Sequence, residues 1–107
     1  LPKRQKKEQL HAYIIALGEL AAQKVIVLAK EIRKAGFRCD VDYSEASLKS
    51  KLKEANKIET KFALIIGDDE LKANKATLRY MQESREEKID FSEIVATLGK
   101  LIDGIGK

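Results

Sequence analysis

The sequence contains one cysteine, one proline, one histidine and no tryptophan. A lone thiol, Cys39, cannot close an internal disulfide, so nothing ties the chain to an oxidising compartment, and a cytoplasmic location is expected. With His11 as the sole imidazole, histidine-based zinc sites and a Ser-His-Asp triad both lack members. Long apolar runs are missing as well. The longest, residues 12–17, falls far short of the roughly 20 residues of a membrane helix, so no membrane partner is expected. The basic start is not followed by an apolar stretch of about 7–15 residues, and no secretory signal is expected. Neither common glycine-rich phosphate loop is present.

Hydrophobic residues make up 44% and charged residues 36% of the 107 positions, a composition suited to one folded domain. Net charge is +4, and its distribution is uneven. Lys3, Arg4, Lys6 and Lys7 face only Glu8 among the first ten residues, so most of the excess lies there. Residues 1–10 therefore read as a basic linker or a phosphate-contacting arm, and residues 11–107 as the folded domain.

Residues 11–17 (HAYIIAL) form a short β-branched run suited to a strand covered on both faces, the habit of a parallel sheet. Gly18 breaks it. Ala21, Val25, Leu28, Ile32 and Ala35 then recur at helical spacing, and Gly36 stops the helix. In residues 37–43 (FRCDVDY), Phe37, Cys39, Val41 and Tyr43 alternate with polar groups, as in a half-exposed edge strand. Ser44 or Ser47 can cap a helix over residues 47–58 with a seam of Leu48, Leu52 and Ala55. Residues 62–67 (FALIIG) give another buried strand. Residues 75–82 and 85–91 read as an antiparallel hairpin turning near Glu83–Ser84. Asp90 with Glu93 resembles a capping box before a last helix, with Gly104 and Gly106 expected to fray. The expected fold is α/β, a three-layer domain of order β-α-β-α-β followed by a hairpin, with a five-stranded mixed sheet and three helices.

Gly67-Asp68-Asp69 has the form of a polymerase metal turn, but the chain has no room for the remaining polymerase architecture. Glu19, Asp40 and Asp42 near strand ends offer a rival magnesium site, although no base or nucleophile accompanies them, and solvated edge carboxylates explain Asp40 and Asp42 as simply. Cys39 reads as a small core residue. The second helix differs. Lys49, Lys53 and Lys57 stand four apart and line one flank, at a repulsion cost of roughly 0.2–0.5 kcal/mol per neighbouring pair that bound phosphates would reverse. An ordinary wet helix face accounts for the same stripe. Thr77 and Arg79 share one face of the fourth strand, and Glu70 precedes it. A glutamate accepts from the N1–H and amino group of guanine, and an arginine stacks on a base or grips phosphate, so these three suit a splayed single-stranded base.

The stretch SLKSKLKEANKIETKFALIIGDDELKANKATLRYM, residues 47–81, resembles the C-terminal anticodon-binding domain of class IIa aminoacyl-tRNA synthetases. Further support comes from AYIIALG, EIRKAGF and CDVDY, in the same order and spacing as in that family, with the histidyl members nearest. The resemblance covers about residues 11–103. It implies an α/β domain that recognises a tRNA anticodon loop, that of tRNA-His for the histidyl members. It also implies a separate catalytic domain in the same polypeptide and a homodimeric parent. ATP and magnesium are expected only in that catalytic domain, and this domain is expected to hold no cofactor and no catalytic residue. By position, Glu70 falls on the glutamate of the family's Gly-x-x-Glu turn, Arg79 on the basic position in the following strand that related threonyl enzymes use near the first anticodon bases, and Glu45 where those relatives carry a polar reader. Another class IIa synthetase, a tRNA-sensing regulator, a protein-interaction module and a small magnesium-dependent enzyme are the alternatives.

Overall fold

A computed structural model describes residues 10–106, and the basic residues read as a linker or arm before Leu10 lie outside the described residues. In chain order come β1 (Ala12–Ala16), α1 (Glu19–Lys34), β2 (Cys39–Asp42), α2 (Leu48–Lys57), β3 (Phe62–Ile66), α3 (Asp68–Ala73), β4 (Lys75–Tyr80) and β5 (Arg85–Asp90). A 3-10 turn (Phe91–Glu93) then leads into α4 (Ile94–Gly106). The sheet order is β2-β1-β3-β4-β5. β1 runs parallel to β2 and β3, and β4 runs antiparallel to β3 and β5. The five-stranded mixed sheet is as expected.

A fourth helix is not. α3 has six residues, too few to show an apolar period, and opens with Asp68, Asp69 and Glu70, whose charges suit a helix start. Asn74 ends it at φ +60°, a left-handed position that asparagine tolerates. α4 runs through Gly104 to Gly106, so the tail expected to fray at these glycines is helical.

Two cores flank the sheet. Ile14, Leu64, Ile66 and Leu78 pack with Val25, Leu28 and Ile32 of α1 and with Ile94 and Leu98 of α4. Each such fully buried side chain contributes about 1.5–3 kcal/mol of transfer free energy. On the other face Tyr13, Ile15, Ala63 and Ile65 pack with Ala55, and Leu52, Ile58 and Met81 close over them. α2 is thus centred over β1 and β3, and the same face of β4 and β5 carries polar side chains.

Four local expectations are corrected. The α2 seam runs through Lys51 and Ala55, both buried, while Leu48 is 37% exposed. Tyr43 does not continue the inward row of β2, because the strand ends at Asp42 and leaves its ring exposed. The Asp90–Glu93 box does not form: the Asp90 side chain makes no cap bond and instead faces Lys75 Nζ at 3.3 Å. The hairpin turn occupies residues 81–84, with Ser84 at φ +53°, and sets Tyr80 opposite Arg85.

Candidate nucleic-acid interface

α2 begins where Ser47 Oγ accepts the Ser50 N–H at 3.2 Å, which confirms Ser47 as the cap. Successive side chains rotate about 100° around a helix. Ser50 and Glu54 turn toward the end of β2, lining a cleft with Tyr13, Asp42 and Tyr43. The rotation puts Lys49 on the opposite flank and Lys53 and Lys57 toward the outer surface of the helix. All three are exposed, and among the described residues none of their ammonium groups is in an ion pair.

Lys51 supports this helix from below. Its side chain is 1% exposed, and Nζ donates to the Ala16 carbonyl at 2.8 Å while standing 3.7 Å from Asp42 Oδ1. Asp42 also accepts from Tyr13 Oη at 2.8 Å, from the Ser44 N–H at 2.9 Å and from Ser44 Oγ at 2.7 Å. Burial opposes ionisation of Asp42, but the Ser44 and Tyr13 hydrogen bonds and the Lys51 charge outweigh it and hold the carboxyl below its ordinary value. Burial and the bond to Asp42 push the Tyr13 phenol up. The network joins the ends of β1 and β2 to the first turns of α2.

A second network lies on the polar face of the hairpin. Glu70 Oε1 accepts the Gly67 N–H at 2.9 Å, and Oε2 accepts from Thr77 Oγ1 at 2.9 Å and from Lys88 Nζ at 3.2 Å. Lys88 Nζ also donates to Thr77 Oγ1 at 2.8 Å. A Cβ on Gly67 would lie 3.3 Å from both Glu70 Oε1 and Leu17 Cβ, so a side chain there requires these neighbours to shift by a few tenths of an ångström. Burial raises the Glu70 carboxyl, but the bonds from Thr77, Gly67 and Lys88 prevail and keep it below its ordinary value. Two residues along β4, Arg79 Nη1 donates to Glu86 Oε2 at 2.9 Å. Both side chains stay partly open to water, at 27% and 43%.

The structure therefore brings Glu70 and Thr77 into contact and sets Arg79 beside them on one face, with α2 along its edge. Glu45 sits apart, exposed in the loop between β2 and α2. Lys88 and Glu86 complete the hairpin face and follow from strand register alone, as Thr77 pairs with Lys88 and Arg79 with Glu86. The rival magnesium trio does not assemble: Asp42 is committed to its network, Asp40 lies 4.0 Å from Arg33, and among the described residues no three acidic, cysteine or histidine side chains converge. Cys39 is buried, and burial pushes its thiol up, in keeping with a core residue. Among the described residues no helix is long and apolar enough to cross a membrane.

Sheet order and helix placement define a small α/β domain with one helix-free, polar stretch of sheet beside a lysine-bearing helix. Residues 11–101 match the anticodon binding domain family, and the chain belongs to that family. Similar curated proteins include histidine–tRNA ligase from Lysinibacillus sphaericus, 33% identical over 91 residues that make up 85% of this chain and 22% of the relative. The Clostridium botulinum Loch Maree enzyme is 34% identical over 77% of this chain and 20% of its own length. The chain thus spans about a fifth of these relatives. The crystal structure of apo S. aureus histidyl-tRNA synthetase matches with a TM-score of 0.80 and 28% identity, over 90% of this chain and 28% of that one. The RNA binding domain of Cryptosporidium parvum threonyl-tRNA synthetase shares the fold at a TM-score of 0.78 and 22% identity, over 85% of this chain and 23% of that one.

Proposed function

We propose that this chain is the anticodon-binding part of a histidine–tRNA ligase and grips the anticodon loop of tRNA-His. The observation that carries the reading is the pairing of three exposed lysines on α2, without ion-pair partners among the described residues, with a polar, helix-free hairpin face beside it. Lys49, Lys53 and Lys57 hold phosphates and supply sequence-independent affinity. Arg79, Thr77, Glu70 and the loop residue Glu45 meet unstacked bases, as single-stranded RNA recognition requires. Glu70 keeps 12% of its side chain exposed, so a base donor reaches Oε2 by displacing the more exposed Lys88 ammonium, not the Gly67 N–H. The remainder of the polypeptide supplies the catalytic domain, the homodimer contacts and the ATP- and magnesium-dependent aminoacylation, in the cytoplasm.

Binding of this chain to labelled anticodon stem-loops, cognate or with permuted anticodon bases, tests the reading. Arg79→Ala is expected to narrow the difference between cognate and permuted loops by about 1–3 kcal/mol. An unchanged difference removes Arg79 from the reading face.

A further inference from the structure

At the end of the sheet away from Gly67 and Glu70, the strand register lines up three basic side chains. β1 pairs in parallel with β2 and β3, with Ala12 opposite both Cys39 and Phe62. The residues one step earlier, His11, Arg38 and Lys61, therefore stand abreast where three neighbouring strands begin. Arg38 is exposed, and His11 and Lys61 are half-buried. Backbone bonds fix the row: the His11 N–H donates to the Arg38 carbonyl at 2.9 Å, and the Phe62 N–H donates to the His11 carbonyl at 3.1 Å. The imidazole meets the Phe37 ring edge-on, with centroids 5.7 Å apart.

The bonds of the imidazole set its tautomer. Nδ1 accepts the Arg38 backbone N–H at 3.0 Å, so in the neutral ring the proton sits on Nε2. Nε2 lies 3.4 Å from Arg38 Nη2, which turns one donor against another. Burial first, then the Arg38 and Lys61 charges, lower the His11 pKa from its ordinary 6.5, so the ring does not relieve the contact by taking a second proton. An anionic oxygen within reach of both donors converts their repulsion into two charge-assisted hydrogen bonds, and a guanidinium suits a phosphate in particular.

We infer that His11, Arg38 and Lys61 form a phosphate-binding site, in which His11 Nε2–H and the Arg38 guanidinium share one phosphate oxygen and Lys61 Nζ takes another. The site stands without the RNA-binding reading above and involves no base. A backbone phosphate of RNA and a free phosphate share the chemistry it recognises. The five residues of β1, at about 3.3 Å each, set it roughly 16 Å along the strands from the Glu70 end, so an RNA loop at the hairpin face reaches it through a different stretch of backbone.

His11 is the only histidine in the sequence, so one imidazole signal in the NMR spectrum reports on the site. Its titration midpoint is measured in chloride, with inorganic phosphate and with an RNA hairpin. The midpoint is expected below 6.5 in chloride and is expected to rise with phosphate, because the anion offsets the two neighbouring cations. Arg38→Gln and Lys61→Gln are each expected to remove most of the rise. A rise with the hairpin too, with a salt slope of binding shallower by roughly 0.7–0.9 in Lys61→Gln and an unchanged difference between cognate and permuted loops, assigns the ligand to RNA backbone. A rise with inorganic phosphate alone supports the site and assigns it to a free phosphate. A midpoint that neither addition moves, or a rise that both variants retain, overturns the site, and hairpin binding that persists in that case leaves the RNA-binding reading standing. A midpoint above 6.5 in chloride that falls in Glu8→Gln marks a carboxylate of this chain as the occupant and overturns the inference too.

Discussion

Lys51 places a long cationic side chain where an aliphatic one would ordinarily sit, yet its ammonium reaches a carbonyl and stands near a carboxylate. Removing one partner from such a network leaves the others poorly satisfied, which costs more than the net gain of the bond itself. Lys51→Met keeps much of the stem packing and loses the charge, and it is expected to destabilise the domain by about 1–3 kcal/mol. Thermal unfolding checks this, with a fall of about 4–8 °C per kcal/mol in a domain of this size. Asp42 and Glu70 give a second prediction. Their ordinary values are 3.8 and 4.5, and both are lowered in the fold. A carboxylate lowered on folding stabilises the native state above its unfolded value and loses that contribution as pH falls through the folded value. Stability is therefore expected to hold from pH 7 down to about 5 and to decline below about 4, a decline that Asp42→Asn with Glu70→Gln makes shallower. An acid limb identical in wild type and double variant contradicts the assignment.

At the scale of elements, what was legible in the sequence is what local periodicity encodes. The apolar runs of β1 and β3 and the helical spacing of α1 carry their own burial pattern, and the structure buries them as read except for Ala35, which lies exposed as the C-cap of α1. The α2 lysines were legible for the same reason, since a four-residue spacing fixes a flank before any tertiary contact is known. Lys51 was not legible, because a lysine among lysines reads as solvent-facing and its role depends on where the ends of β1 and β2 meet. The Glu70–Thr77–Lys88 group was visible only in part. Its third member depends on the register of the hairpin, which the four-residue turn at 81–84 sets and a turn read at Glu83–Ser84 would shift. Tyr43 escaped because alternation extends a strand on paper beyond the point where pairing with β1 stops. Replacing Lys49, Lys53 and Lys57 by alanine tests the element as a unit. The expected result is weaker binding to all RNA hairpins, by a similar factor, with the melting temperature unchanged or slightly raised as mutual repulsion is relieved.

At the scale of the whole molecule, the sheet separates two kinds of work. One face is closed by α1 and α4 over the larger apolar core, and this face holds the domain together. The other is covered by α2 over β1 and β3 only, leaving the hairpin's polar face and the helix edge open to a partner. Membership of the anticodon binding domain family and the placement of charge on this second face agree with one use. In the proposed function this face grips a single-stranded RNA loop with phosphate-binding lysines beside base-reading polar groups. That grip is tested most directly by comparing, across a salt series, the binding of an anticodon stem-loop hairpin with that of a blunt RNA duplex of equal charge. The hairpin is expected to bind more tightly at every salt concentration, and the Lys49, Lys53 and Lys57 triple alanine variant to have a shallower salt slope by roughly 0.7–0.9 for each phosphate the lysines no longer neutralise. Equal affinity for hairpin and duplex, or a slope that the triple variant leaves untouched, contradicts it.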